Sequence, residues 1–403
     1  MRPIDYLEQL SFVRMGGSEM ERKAADLIAD WLKKFGYKPS IEEFEIETFE
    51  PGSGTLKPTE PSGDEVHISP VGLSTNCDVE GEIAVLDAPE PQWVEKSKLA
   101  GKIVFMSNYP RRKWVKLLSE SGAKCGITVV DDIRIRAYIK LSQEVAADFG
   151  EKMPLATIGY KYAMDLMRKN VRKVRVHTEQ KKFTGTSQNV IAEIPGKTDR
   201  TIILTAHYDS TPSSPGAQDN AAGCVEMLEI AKNLAGKKFE RTIKFIFCGS
   251  EEMGLLGSKA FSESHIDELD KVDFLINLDV GGNPFVPVFA KILGNEKLQN
   301  FIEGFARSNG LPMKISQDIY SSDGMPFARF GIPSVSIARG GISSRGHSPY
   351  DTADRTCNEA LEDIAKYAQA ITEEISDSKL LPFPREISEE MKKKVDEYFT
   401  GRK

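Results

Sequence analysis

Long hydrophobic runs are missing from this sequence: none approaches the roughly 20 residues that a membrane-spanning helix needs. Nor does an apolar stretch follow Met1-Arg2-Pro3-Ile4-Asp5, which leads straight to Glu8, as the core of a secretory signal would. No membrane association is expected, and the cytoplasm is the expected compartment. Cysteine is sparse. Cys77, Cys125, Cys224, Cys248 and Cys357 are odd in number and lack any CxxC spacing, which argues for reduced, structural thiols. Cys224 and Cys248 stand among apolar residues, where a thiol packs as a small hydrophobe. A thiol nucleophile is disfavoured because no histidine adjoins any of the five. Positive charge is not in excess either: a net −7 argues mildly against nucleic acid as a main partner. Internal repeats and low-complexity tracts are absent. Histidine numbers only five in 403 residues, so the place of each one asks for a reason.

What is present is an ordinary globular composition, 40% apolar and 28% charged, in a chain long enough for about two or three domains. A helix is expected after Ser18, with Ala24, Ala25, Leu27, Ile28, Trp31 and Leu32 in periodic register up to Gly36. IEEFEIETF (41–49) alternates as a strand, and the Pro- and Gly-rich stretch 50–63 reads as a loop or boundary. Strand-like EIAVLDA, KIVFMS, GITVV and MPLATIG then alternate with helical stretches up to about Gln188. Between Lys96 and Lys182, 20 Lys and Arg face 8 Asp and Glu, a local +12 that reads as a solvated surface or as a basic lid. From Asn189 on, NVIAEI, TIILTA, TIKFIFC, VDFLINLDV and PSVSIA are short apolar strands, with helices expected over 219–235, 255–264 and 357–376. That alternation predicts an α/β fold with a mainly parallel sheet covered on both faces. The amphipathic segment 387–399 is expected to pack on the chain's own core.

In such sheets, sites form beyond the C-terminal ends of the strands. TIILTA ends on His207 and Asp209, and the loop after it holds Asp219. TIKFIFC leads to Glu251-Glu252, VDFLINL to Asp279, and PSVSIA is followed by His347 and Asp351. Each has a plain alternative: a packed histidine, a helix N-cap, a solvated first turn, a turn-stabilising aspartate. Gathered at one edge they would be costly without cations between them. Two divalent ions answer this, with zinc the natural choice and cobalt or manganese plausible substitutes. A carboxylate bridging ions about 3.5–4 Å apart makes a dinuclear hydrolytic site, which also needs a carboxylate base that binds no metal. The Glu-Glu pair suits both tasks, one residue ligating and the other taking the proton.

The segments HYDS, QDNAAG, GSEEMGLLGS, NLDVGG and GHSPYDT resemble, in this order, the motifs of peptidase family M28, the co-catalytic zinc peptidases. The resemblance covers about residues 185–376 and the N-terminal helical region. It implies a three-layer α/β/α peptidase domain with a mainly parallel mixed sheet, made of 1–50 and 185–403. Residues 51–184 resemble an inserted protease-associated (PA) lid domain. The resemblance further implies two zinc ions per subunit, with Asp219 bridging them. Glu252 and His347 would complete one site, His207 and Asp279 the other. Glu251 would be the general base, and Asp209 would orient His207 from behind. Asp351, Ser322 and Asp323 would support the ligands, although Gly324 stands where relatives often carry a histidine. Gly346 likewise replaces a tyrosine that steadies the oxyanion in many relatives, so Tyr350 is a candidate for that task.

The activity implied is hydrolysis of peptide bonds, most naturally removal of N-terminal residues from a peptide substrate. A carboxypeptidase or dipeptidase of the same fold would instead need a cation for the substrate's α-carboxylate, for which Arg134 or Arg136 could reach over. A glutaminyl cyclase would need only one zinc site. A receptor-like relative would have lost the ligands that this chain keeps.

Overall fold

A computed structural model describes residues 1–131, 139–340 and 346–402. The chain forms two units, Met1–Ile46 with Thr186–Phe399, and Glu47–Gly185. No helix among the described residues is long and apolar enough to cross a membrane.

The first unit is built on strands that are apolar on both sides. In Thr201–His207, Thr242–Cys248 and Val272–Leu278, alternate residues point to opposite faces. Ile202, Leu204, Ala206, Ile243, Phe245, Phe247, Phe274, Ile276 and Leu278 enter one core with Leu7, Leu10, Ile28, Leu32, Leu228 and Ile371. These partners come from helices Pro3–Leu10, Glu19–Lys34, Ala222–Leu234 and Asn358–Asp377. Ile203, Ile246, Cys248 and Leu275 enter a second core with Phe261, Phe327 and Ile332. Continuous apolar runs thus make a sheet buried on both faces, as parallel strands require.

Four strands run parallel in the order Thr242–Cys248, Thr201–His207, Val272–Leu278, Ser334–Ala338. Antiparallel neighbours flank them: residues 190–194 beside Thr242–Cys248, and Val288–Leu293 beside Ser334–Ala338. Met313–Gln317 continues the sheet, parallel to Val288–Leu293. These last two strands and helix Glu296–Ser308 had no counterpart in the sequence reading. The four parallel strands end on the same side, so the loops leaving His207, Cys248, Leu278 and Ala338 share one edge. The C-terminal helix Glu389–Arg402 buries Met391 and Val395 with Leu255, Leu293 and Met325, on the chain's own core.

The second unit holds parallel strands Cys77–Leu86, Ile103–Met106, Cys125–Val130 and Leu155–Gly159, with helices Arg112–Glu120 and Tyr160–Arg168. The expected loop at 50–63 is instead mostly strand, which runs unbroken over Ser40–Glu60 and pairs with Val66–Pro70. Its glycines mark close backbone approach rather than a turn. A Cβ on Gly52 would strike the Glu179 carbonyl, and one on Gly54 would lie 2.8 Å from the His177 carbonyl. The basic stretch also has its counter-charges. Residues 47–95 carry 11 acids against one lysine, and Lys113 pairs with Glu90, Lys173 with Glu80 and Arg175 with Asp78. Arg134 and Arg136 lie outside the described residues.

Candidate metal centre

Five side chains converge at the strand ends. His207, the last residue of its strand and 1% exposed, points Nε2 to Asp219 Oδ1 at 3.3 Å and to Asp279 Oδ1 at 3.4 Å. On the other side of Asp219, His347 Nε2 lies 3.2 Å from Oδ2 and 2.9 Å from Glu252 Oε1. Two triads result, His207–Asp219–Asp279 and Asp219–Glu252–His347, each with donor atoms within 4.8 Å of one another. They share Asp219, which gives one oxygen to each. The first triad is deep; the second opens outward, with the His347 side chain 52% exposed.

Local backbone structure explains this aim. Asp219 does not belong to the helix expected from 219: its φ of −120° and ψ of 88° are non-helical, and the helix starts at Ala222. Asn220 fastens this loop to the neighbouring one. Its Nδ2 donates to the Leu278 carbonyl at 2.8 Å, while its Oδ1 accepts from Val280 N at 3.1 Å and Gly223 N at 3.0 Å. Asp351 accepts the backbone N–H groups of Gln218 at 2.8 Å and Asp219 at 3.1 Å. Asp209 accepts those of Glu251 at 2.9 Å and Glu252 at 3.0 Å, and its Oδ1 lies 3.3 Å from His207 Nδ1.

The electrostatics follow from crowding acids beside imidazoles. Glu252, with Asp219, drives His347 well above its ordinary range despite burial. For His207, burial pulls downward but is outweighed by Glu251, Asp209, Asp219 and Asp279, so it too is raised. Asp219 is held low by both imidazoles against the effect of burial. Burial drives Glu251 up, aided by Glu252, Asp323 and Asp279, while His207 works against them. Glu252 Oε1 and Asp279 Oδ1 are buried and accept no hydrogen bond from the described residues, although an imidazole nitrogen lies 2.9 Å from the first and 3.4 Å from the second. Buried acceptors that face other acceptors form a cradle for cations, and nitrogen and oxygen donors in this proportion suit zinc. The residues present therefore fit two divalent ions.

The remaining candidates fall around this cluster. Glu251 belongs to neither triad among the described residues, though its titration is shaped by members of both. Ser322 is buried and accepts from Asn277 Nδ2 at 3.0 Å, beneath the strand that ends near Asp279. Asp323 is fully buried beside Ser258 and Cys248, and burial pushes it up to about 7. Tyr350 stands two residues past Ser348, with 49% of its surface exposed. Several supports were not expected from the sequence. Tyr320 donates its hydroxyl to the Asp279 carbonyl at 3.3 Å. Arg14 is fully buried and donates to the carbonyls of Leu10 at 2.9 Å, Phe12 at 3.0 Å and Gly216 at 2.7 Å. Glu21 shares the apolar helix face of Ala24, Ala25, Ile28 and Leu32, a spacing that already marks it as a buried charge.

Known proteins resemble this chain in sequence and in fold. Residues 189–372 match the model of peptidase family M28. The aminopeptidase YwaD of Bacillus subtilis (strain 168) is 27% identical, over 98% of this chain and 88% of its own. A probable leucine aminopeptidase 2 of Aspergillus oryzae is 24% identical, over 81% of this chain and 69% of its own. Among solved structures, an aminopeptidase from Aneurinibacillus sp. strain AM-1 aligns with a TM-score of 0.76 at 24% identity, over 95% of both chains. BSAP, a zinc aminopeptidase from Bacillus subtilis, aligns with a TM-score of 0.78 at 23% identity, over 97% of this chain and 98% of its own.

Proposed function

We propose that this chain, whose residues 189–372 match the model of peptidase family M28, is a zinc aminopeptidase with two zinc ions per subunit. The observation that carries this reading is the division of Asp219, one oxygen toward His207 and the other toward His347. In it, His207 and Asp279 hold one ion, Glu252 and His347 the other, and Asp219 both. Zinc so bound would polarise the scissile carbonyl and bring the pKa of a water to about 7.

Glu251 is the general base. Its carboxylate takes a proton from the attacking water and returns it to the departing amine as the C–N bond breaks. The Asp209 tie to the backbone of Glu251 and Glu252 supports this split of roles, because it fixes one glutamate beside the other. Asp351 steadies the Asp219 backbone, and Ser322 and Asp323 support the floor of the site. An acid-rich site favours a substrate with a free α-ammonium, which is why N-terminal cleavage is the reading. Tyr350 is assigned to the substrate side of the His347 loop. The second unit, Glu47–Gly185, is read as a PA-like insertion on its position between the two parts of the peptidase unit.

The test is a panel of aminoacyl-p-nitroanilides, their N-acetylated counterparts, and dipeptides with free or blocked C-termini, each with zinc and with a chelator. Chelator-sensitive cleavage that disappears on N-acetylation is expected. Cleavage that tolerates N-acetylation but needs a free carboxylate would turn the reading to a carboxypeptidase.

A further inference from the structure

The turn that carries Glu251 and Glu252 is held by more than Asp209. Ser250, just before them, sits at φ +52°, a left-handed conformation that side chains other than glycine seldom adopt. Three successive N–H groups, of residues 250, 251 and 252, point at carboxylates, as in an anion-binding nest. Asp209 takes the last two. The first donates to Glu21 Oε1 at 2.8 Å, across 229 residues of sequence.

Glu21 is itself wholly buried. Oε1 also faces the Ser250 and Ser187 hydroxyls, both at 2.9 Å, and these hydroxyls lie 2.8 Å apart. Oε2 accepts the Gly17 N–H at 2.7 Å. The surroundings are cut to fit: a Cβ on Gly16 would strike Ser250 Oγ, and one on Gly249 would lie 2.6 Å from Ser187 Oγ and 3.0 Å from Glu21 Oε1. Burying a carboxylate is costly, and burial together with Asp209 pushes this one up to about 8. An apolar residue would fill the same helix face without that cost. What Glu21 adds is a fixed Ser250.

We infer that Glu21 is a positioning residue: by holding the Ser250 backbone and hydroxyl, it keeps the turn in the shape that aims Glu251 at substrate and Glu252 at metal. This rests on the roles proposed above for those two glutamates. An amide cannot replace the carboxyl group here, because each carboxyl oxygen accepts a backbone N–H. If the amide oxygen serves Ser250, its NH2 meets the Gly17 N–H; reversed, the NH2 meets the Ser250 N–H. Loss of such support typically costs about 10–100-fold in metal affinity or activity.

The experiment compares Glu21→Gln, Glu21→Gln with Ser250→Gly, Ser250→Gly alone, Ser187→Ala and Glu251→Gln in the full chain. Readouts are kcat and KM per folded molecule, and zinc binding by equilibrium dialysis. Glu21→Gln is expected to lower kcat at least tenfold with KM within threefold, and to weaken one of the two zinc sites at least tenfold. Glycine accepts a left-handed φ without strain, so the double variant should return to within threefold of Ser250→Gly alone. Ser187→Ala, which keeps the carboxylate, should show the same changes at about two- to fivefold, and it decides the matter if Glu21→Gln does not fold. Wild-type kcat and zinc affinity in the Glu21→Gln protein, or in Ser187→Ala where that variant decides, would overturn the inference even if melting temperature falls. Full activity of Glu251→Gln would overturn the base assignment instead, and zinc binding would still judge Glu21.

Discussion

The carboxylate of Asp209 grips the backbone of Glu251, Oδ1 accepting its N–H at 2.9 Å. That same oxygen lies 3.3 Å from His207 Nδ1, and the second oxygen accepts the Glu252 N–H at 3.0 Å. One buried side chain therefore couples a proposed ligand from one strand end to a proposed base and a second proposed ligand from the next.

Asp209→Ala leaves two backbone N–H groups without their acceptor, each worth about 1–3 kcal/mol when buried and unpaired. Unfolding in urea should show a loss of about 2–4 kcal/mol, and kcat/KM should fall about 10–100-fold. Asp209→Asn, which keeps one acceptor oxygen, should fall between this variant and the wild type in both measurements.

The adjacent glutamates should separate cleanly. Glu251→Gln should keep its zinc and fold while losing about 10²–10⁴-fold in kcat, the usual worth of a general base. Glu252→Gln should lose zinc from one site. Metal content by mass spectrometry, alongside single-turnover kinetics, distinguishes the two; equal zinc loss in both would deny the division of labour.

Away from the site, Asp273 is buried between Arg200 and Arg241, with Arg241 Nε at 2.7 Å from Oδ2. Burial alone would raise its carboxyl, but the two guanidiniums outweigh this and hold it below the ordinary aspartate range. The unfolded chain therefore binds this proton at higher pH than the native one. The stabilisation is complete above the unfolded value near 4 and is lost as pH falls through the lower native value. Asp273→Asn should cost about 3 kcal/mol at pH 7, and the gap to wild type should narrow below about pH 4 in denaturant titrations.

Much of this was legible in the sequence because strand ends in a parallel sheet gather by topology. Apolar runs such as TIILTA and VDFLINL announce strands buried on both faces, and the polar residues that follow them must meet at one edge. His207, Asp219, Glu252, Asp279 and His347 were expected at that edge, and the structure brings them together. What escaped notice depends on chain paths that local pattern does not encode. Glu21 lies 229 positions from Ser250, and only its place on an apolar helix face betrayed it. Arg14 donates to carbonyls at 10, 12 and 216, a backbone role with no motif. The 50–63 stretch failed as a loop because its glycines admit a neighbouring strand, a use of glycine that composition does not distinguish from a turn.

Asp219 is proposed to lie between two metal ions. Anomalous diffraction at the zinc edge, from crystals of the full chain grown with zinc, tests it most directly. Two peaks flanking the Asp219 carboxylate are expected, one beside His207 and Asp279, the other beside Glu252 and His347. A single peak, or two peaks that leave Asp219 outside both, would contradict it.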